Sequence, residues 1–196
     1  MTLRSLSVAL AAVVALACQA PGQTSKPDPD SLAPYYPTPE AVVERMLKLA
    51  KVLPGEKVYD LGSGDGRIVI MAAAKFQADA TGIEIDHDLV KQSSDRIHGL
   101  GLDKTARIVR GDILKQDYAP ADALMVYLLP SSNERLRPLL DQQLREGTRV
   151  VAHDFVIRGW KPVSEEYIED DGEGRSHTLY LYVVHKPGHA PDAKKK

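Results

Sequence analysis

Between Val58 and Arg67 the chain reads VYDLGSGDGR: an apolar run ends in an acid, Asp60, and Gly62, Gly64 and Gly66 then recur at every second position. Such a backbone can turn sharply and let a charged, nucleotide-like ligand lie against bare main chain, because glycine lacks the Cβ that disfavours positive φ. The apolar stretch RIVIMAAAKF that follows, Arg67–Phe76, reads as a helix whose free N–H groups open into the same crevice. A strand, a glycine turn and a helix in that order restrict the fold more than any other feature of the sequence.

The rest of the chain repeats the alternation. Thr38-Pro39-Glu40 opens a first helix, with Thr38 as its N-cap and Pro39 at its first position, and Val42, Val43, Met46, Leu47 and Ala50 recur at helical spacing. Strands are predicted at Lys57–Leu61, Asp79–Glu84, Ala106–Arg110, Ala121–Leu129 and Thr148–Phe155. Helices are predicted from His87 to Leu100 and from Ser132 to Leu144, the second with Pro138 as a break or kink. Val163–Glu169 and Ser176–Val184 then read as two strands around the turn-rich segment Asp170–Arg175, with no helix between them. The expected architecture is α/β: a Rossmann-like, seven-stranded, mostly parallel sheet with a C-terminal antiparallel hairpin and helices on both faces.

A chain of 196 residues supports one well-buried domain and is too short for two comfortable ones. Its 25 Lys/Arg nearly balance 27 Asp/Glu, so no basic excess marks a nucleic-acid partner. Met1–Arg4 is a short cationic region, Leu6–Leu16 is apolar, and Ala15-Leu16-Ala17 fits a small-x-small cleavage site, so residues 1–17 read as a signal peptide. The apolar stretch is shorter than the roughly 20 residues a membrane-spanning helix needs. Cys18, the only cysteine, follows at once. It is either the lipid-bearing first residue of a bacterial lipoprotein, with Ala15 standing where a leucine is usual, or a bystander behind an ordinary cleaved signal. Membrane association is therefore expected, if anywhere, at the N-terminus or Cys18, on an exported, periplasmic or membrane-anchored protein. Residues 18–34 read as a flexible linker, 35–186 as the domain and 187–196 as a tail. With a single cysteine the chain has no disulfide and no thiolate metal site.

In an open α/β sheet, ligands bind beyond the carboxyl ends of the strands, where strand order reverses. The first predicted strand end carries Asp60 and the glycine turn, including Ser63 and Asp65. The second carries Glu84, about 20 residues after the turn, the distance at which a carboxylate reaches a ribose diol. The third is followed by Asp112, placed to accept from an adenine amino group, and the fourth ends Tyr127-Leu128-Leu129-Pro130. Each has a structural alternative: Glu84, Asp86 and Asp112 as helix-start acids, the glycine run as a tight turn. His87, His98, His177, His185 and His189 show no metal-ligand spacing, and no metal site is expected. No nucleophile constellation is evident either.

The spacing Gly-x-Gly-x-Gly, with Asp60 ahead of Gly62, resembles motif I of the class I S-adenosylmethionine-dependent methyltransferases. Within that superfamily PYYPTP (Pro34–Pro39), VYDLGSGDGRIVI (Val58–Ile70), YLLP (Tyr127–Pro130), LRPLL (Leu136–Leu140) and TRVVAHDF with GWKP (Thr148–Pro162) are similar to the small lysine methyltransferases that act on the ATP synthase ring subunit and the adenine nucleotide translocase. The resemblance implies S-adenosylmethionine as cofactor and a protein substrate presenting a lysine. By it, Asp60, Gly62, Gly64 and Asp65, with Ser63 and Gly66 in the same loop, surround the methionine end of the cofactor. Glu84 holds the ribose, Asp112 the adenine, and Tyr127 and Pro130 lie beside the transferring methyl.

Methyl transfer to an amine requires the amine to be neutral, so a nearby group must take its proton. His153 and Asp154, at the fifth strand end, are the candidate proton acceptors, with the alternative that they only hold the following loop. Tyr127 is likewise either an aligning hydroxyl or a core aromatic, and Tyr35, Tyr36 and Trp160 either floor a cleft or close the sheet. Two other functions stay open on the sequence: an exported S-adenosyl-binding module without turnover, and a methyltransferase of small molecules.

Overall fold

The computed structural model describes Leu32 and residues 34–186. The expected signal peptide, Cys18, most of the linker and the tail lie outside the described residues. The element order is α1 (Glu40–Leu49), β1 (Lys57–Leu61), α2 (Arg67–Phe76), β2 (Asp79–Glu84), α3 (His87–Gly99), β3 (Ala106–Arg110), a short 3-10 turn (Ile113–Lys115), β4 (Ala123–Val126), α4 (Pro130–Gln143), β5 (Arg149–His153), β6 (Ser164–Ile168) and β7 (His177–Val183). The strands form one seven-stranded sheet in the order β3-β2-β1-β4-β5-β7-β6. It is parallel from β3 to β5, and β7 joins β5 antiparallel and carries β6 at the edge. Strand order reverses between β1 and β4, which opens the crevice at their carboxyl ends.

The central strands are buried on both faces, as parallel strands covered by helices must be. Alternation along them divides the core. Ala123, Met125 and Val151 face a layer formed with Val43, Met46 and Leu47 of α1 and Val69 and Ala72 of α2. Leu124, Val126, Val150 and Ala152 face the other side, with Leu136 and Leu140 of α4. Among the described residues no helix is long and apolar enough to cross a membrane.

Several local expectations change. Thr38 does not cap α1, whose N-cap is Pro39 without a side-chain hydrogen bond; the Thr38 hydroxyl is buried against His153 instead. β4 is shorter than its apolar run, because Leu128 is buried from a loop rather than from a strand. α4 begins at Pro130, which suits a first helical position, and it runs through Pro138. Pro138 and Glu134, whose carbonyl loses its helical donor to the proline, are both exposed, so water can serve that carbonyl.

Candidate active site

The carboxyl edge of β1, β2 and β3 is organised by main chain. Gly62 and Ser63 both donate their N–H groups to the Ile83 carbonyl at 2.9 and 3.0 Å, which folds the turn back over β2. Gly62, Gly64 and Gly66 all have positive φ. At Gly64 the requirement is doubled, since a Cβ there would also lie 2.6 Å from Cε2 of Tyr35, whose ring covers the turn. Glu84, buried at the end of β2, accepts from Gly64 N–H at 2.7 Å through one oxygen and from Ile85 and Asp86 N–H at 2.8 and 2.9 Å through the other. It therefore pins the turn to β2. Asp112 accepts from Leu114 N–H at 2.8 Å and caps the 3-10 turn after β3.

Asp60 is 3% exposed. Burial, with Glu84 and Asp65 adding like charge, pushes its carboxyl up to about 8. Asp65 goes the other way. Burial works to raise it, but the Arg67 guanidinium, at 2.8–3.2 Å, outweighs burial and holds it below the usual carboxylate range. Arg67 also donates to the Thr38 carbonyl at 2.8 Å, fastening the segment 34–39 across the edge of the sheet. Ser63 Oγ is buried and has no hydrogen-bond partner among the described residues.

The carboxyl edge of β4, β5 and β7 is built from side chains instead. Tyr127 follows β4 and packs its ring on His153, centroids 3.9 Å apart, with Phe155 behind it at 6.3 Å. Burial, then the Asp154 charge, raises the Tyr127 hydroxyl pKa. Pro130 lies exposed at the start of α4. His153 is wholly buried, with Nδ1 3.3 Å from Thr38 Oγ1 and Nε2 2.9 Å from His177 Nδ1. Burial, with His177 adding to it and Asp154 opposing, pushes His153 down to about 4. Asp154 adopts a left-handed backbone, φ 58, and accepts from Thr178 N–H at 2.9 Å while its other oxygen faces His177 Nδ1 at 3.0 Å. His177 Nε2 lies 3.2 Å from Asp171. Asp171 is opposed by burial, yet the N–H groups of Glu173 and Arg175, His177 and the Arg175 guanidinium hold it well below the usual range. Arg175 ends the chain of contacts on the Tyr36 hydroxyl.

The crevice thus brings together the strand-end residues expected from the sequence, with different partners. Asp65 is bound to Arg67, and both ring nitrogens of His153 are engaged. Trp160 lies away from this cluster, its Nε1 donating to Asp141 at 2.7 Å. His177 and Asp171 escaped the sequence reading, as did Thr38 and Arg67 in these roles. Sequence spacing does not reveal this neighbourhood, because β5·β7 pairing sets His177 beside His153 and Asp154.

The model of the ANTKMT methyltransferase domain family matches residues 60–164, from the glycine turn to the start of β6. The chain belongs to this methyltransferase family. A protein-lysine N-methyltransferase of Saccharolobus islandicus (strain REY15A) is 45% identical over 152 residues, 77% of this chain and 93% of that protein. The adenine nucleotide translocase lysine N-methyltransferase of Mus musculus is 33% identical over 155 residues, 79% of this chain and 65% of that longer protein. Among solved structures, an RNA methyltransferase from Salinibacter ruber in complex with S-adenosyl-L-homocysteine is 41% identical, with a TM-score of 0.70 over 82% of this chain and all of that one.

The cofactor of this family is S-adenosylmethionine, and the residues present fit it. Gly64 sets no side chain between the turn and the Tyr35 ring, Ser63 offers a buried hydroxyl without a partner among the described residues, and the raised pKa of Asp60 reports burial among crowded acidic groups that a ligand carrying ammonium and sulfonium groups would relieve.

Proposed function

We propose that the chain is an S-adenosylmethionine-dependent N-methyltransferase whose acceptor is a lysine side chain of a protein. The observation that carries this reading is the 45% identity to a protein-lysine N-methyltransferase across 93% of that protein's length. Asp60, Ser63, Gly64 and Glu84 would hold the cofactor, with Asp112 at its adenine end. When bound, the cofactor supplies a methyl group on a sulfonium, open to in-line displacement without a covalent enzyme intermediate. The chain's own task is then to orient the amine and remove its proton. Asp154 is the member of the histidine cluster whose side chain solvent reaches, at 25% exposure, and its carboxylate is the candidate proton acceptor. The Tyr127 hydroxyl beside it is the candidate aligning group. His153 is too enclosed to touch an acceptor and acts through the placement of Tyr127 and Asp154.

Incubating the protein with radiolabelled S-adenosylmethionine and fractionated cell extract tests this. Label is expected in protein, as methyl-lysine after hydrolysis. The Salinibacter relative makes RNA the competing acceptor, although the near balance of charges gives this chain no basic face for phosphates. Label in RNA alone, or only in the organic-soluble fraction, overturns the lysine reading. Cofactor binding without transfer to any fraction leaves a binding module. Export is proposed from the N-terminal sequence, and cell fractionation with detection of a shortened chain tests it.

A further inference from the structure

The geometry points to a binding site for one zinc-class divalent metal ion at His153 Nε2, Asp154 Oδ2 and His177 Nδ1. These atoms lie 2.9 Å (His153 to His177), 3.0 Å (His177 to Asp154) and 3.3 Å (His153 to Asp154) apart. Metal–ligand bonds of about 2.0–2.2 Å at tetrahedral angles place neighbouring donors about 3.3–3.6 Å from one another, so widening these separations by up to about 0.7 Å admits the ion.

The triangle gathers three groups that can each offer an electron pair. His177 Nε2 lies 3.2 Å from Asp171, so with that nitrogen as the donor the Nδ1 lone pair faces the Asp154 oxygen and His153 Nε2. Protons on the two ring nitrogens can serve the Asp154 carboxylate, and a single cation at the centre can replace them and meet all three donors at once.

The surroundings have the form that fixes metal ligands, in which each donor group is oriented by a further partner. The other ring nitrogen of His177 is held by Asp171, itself anchored by Arg175 Nε at 3.0 Å and by two backbone N–H groups. The other ring nitrogen of His153 meets Thr38 Oγ1, and the other oxygen of Asp154 takes the Thr178 N–H. Two imidazoles and one carboxylate select zinc-class ions over magnesium or calcium, which prefer all-oxygen shells. Bound there, the ion would tie together three segments: residue 38 through its hydroxyl, the end of β5 and the start of β7. Donor geometry defines the site, and an ion bound there would occupy the Asp154 oxygen, so only the metal-free cluster leaves that carboxylate to take a proton from an acceptor.

The test is metal stoichiometry of the full chain, using Co²⁺ as a coloured substitute for Zn²⁺. After chelator treatment and dialysis, one equivalent of Co²⁺ should bind with visible absorption and raise the melting temperature. In His177→Asn and Asp154→Asn that equivalent should be lost. Asp171→Asn should keep it with affinity weakened about 10–100-fold. Should these variants fail to fold, zinc titration of the wild-type protein decides the matter, since the ring resonances of His153 and His177 must shift together in its NMR spectrum. Stoichiometry unchanged by the substitutions, unshifted ring resonances, or no Co²⁺ bound by the folded protein overturns the site.

Discussion

The two halves of the crevice solve the same problem with different materials. On the β1–β3 side, residues 62–66 form a continuous turn held by backbone hydrogen bonds, and Glu84 accepts three N–H groups from main chain. On the β4–β7 side, the architecture is a relay of side chains from residues far apart in sequence: Thr38, Tyr127, His153, Asp154, Asp171 and His177. A main-chain site tolerates many side-chain changes but not a change at its glycines. A side-chain relay fails when any one member is removed, because its buried neighbours lose their partners.

The largest effect expected from that contrast is His177→Ala. Its ring is 5% exposed and meets Asp154, Asp171 and His153 at 2.9–3.2 Å, so truncation leaves buried polar and charged groups unpaired. A loss of about 3 kcal/mol is expected, measured by urea unfolding. A loss under about 1 kcal/mol would mean that water replaces the ring, and the contrast between the halves would then be one of sequence distance only.

Gly64→Ala is the matching change on the other side. A Cβ there strains a φ of 53° and lies against the Tyr35 ring, so a stability cost of about 1–2 kcal/mol is expected from the backbone. Binding of S-adenosylhomocysteine should weaken by about tenfold or more, the equivalent of at least 1.4 kcal/mol. Adding Tyr35→Ala relieves only the ring contact. Full recovery of affinity in the double variant would show that the ring, and not the cradle, limits binding.

The same contrast governs what the sequence could reveal. The bounds of β1, β2 and β3, and of α2 between them, are legible because a short strand-like run and a glycine turn are local properties. Glu84 and Asp112 follow from their places at strand ends. Apolar runs report burial rather than hydrogen bonding, so the run through Tyr127-Leu128-Leu129 hides the end of β4. The Thr38 cap is lost because a tertiary partner, His153, competes for the same hydroxyl. His177 and Asp171 carry no local signal at all: only the antiparallel return of β7 against β5 brings them to the edge.

The halves should also respond to pH with opposite sign. Asp60 titrates at about 8 in the fold and at about 4 in an unfolded chain. Between those values the folded state keeps a proton that the unfolded state releases, so this group makes stability fall as pH rises from about 4 to about 8. His153 titrates at about 4 in the fold and about 6.5 unfolded. Its contribution is present above about 6.5 and is lost as pH falls towards 4. Between about 4 and 6.5 the two contributions oppose each other, so urea midpoints should stay level there and decline from about 6.5 to about 8. Asp60→Asn should flatten the alkaline limb and uncover a fall in stability below about 6.5, and His153→Asn should leave stability falling all the way from about 4 to about 8. If Asp60→Asn leaves the alkaline limb unchanged, the buried carboxyl is not the group that titrates there.

The smallest effect is expected at the seam between the halves, at Tyr127. Tyr127→Phe keeps the ring packed on His153 and Phe155 and removes only the hydroxyl. Because the turn on the β1–β3 side is untouched, cofactor affinity should stay within about twofold, since a surface-like change costs at most about 0.5 kcal/mol. If the hydroxyl aligns the acceptor amine, kcat should fall about fivefold, matching one neutral hydrogen bond of about 1 kcal/mol, while KM for the acceptor changes little. Tyr127→Leu removes the ring as well and should lower kcat further by freeing His153. Equal activity of Tyr127→Phe and wild type, with a loss confined to Tyr127→Leu, would make Tyr127 a packing residue and leave Asp154 as the group that meets the amine.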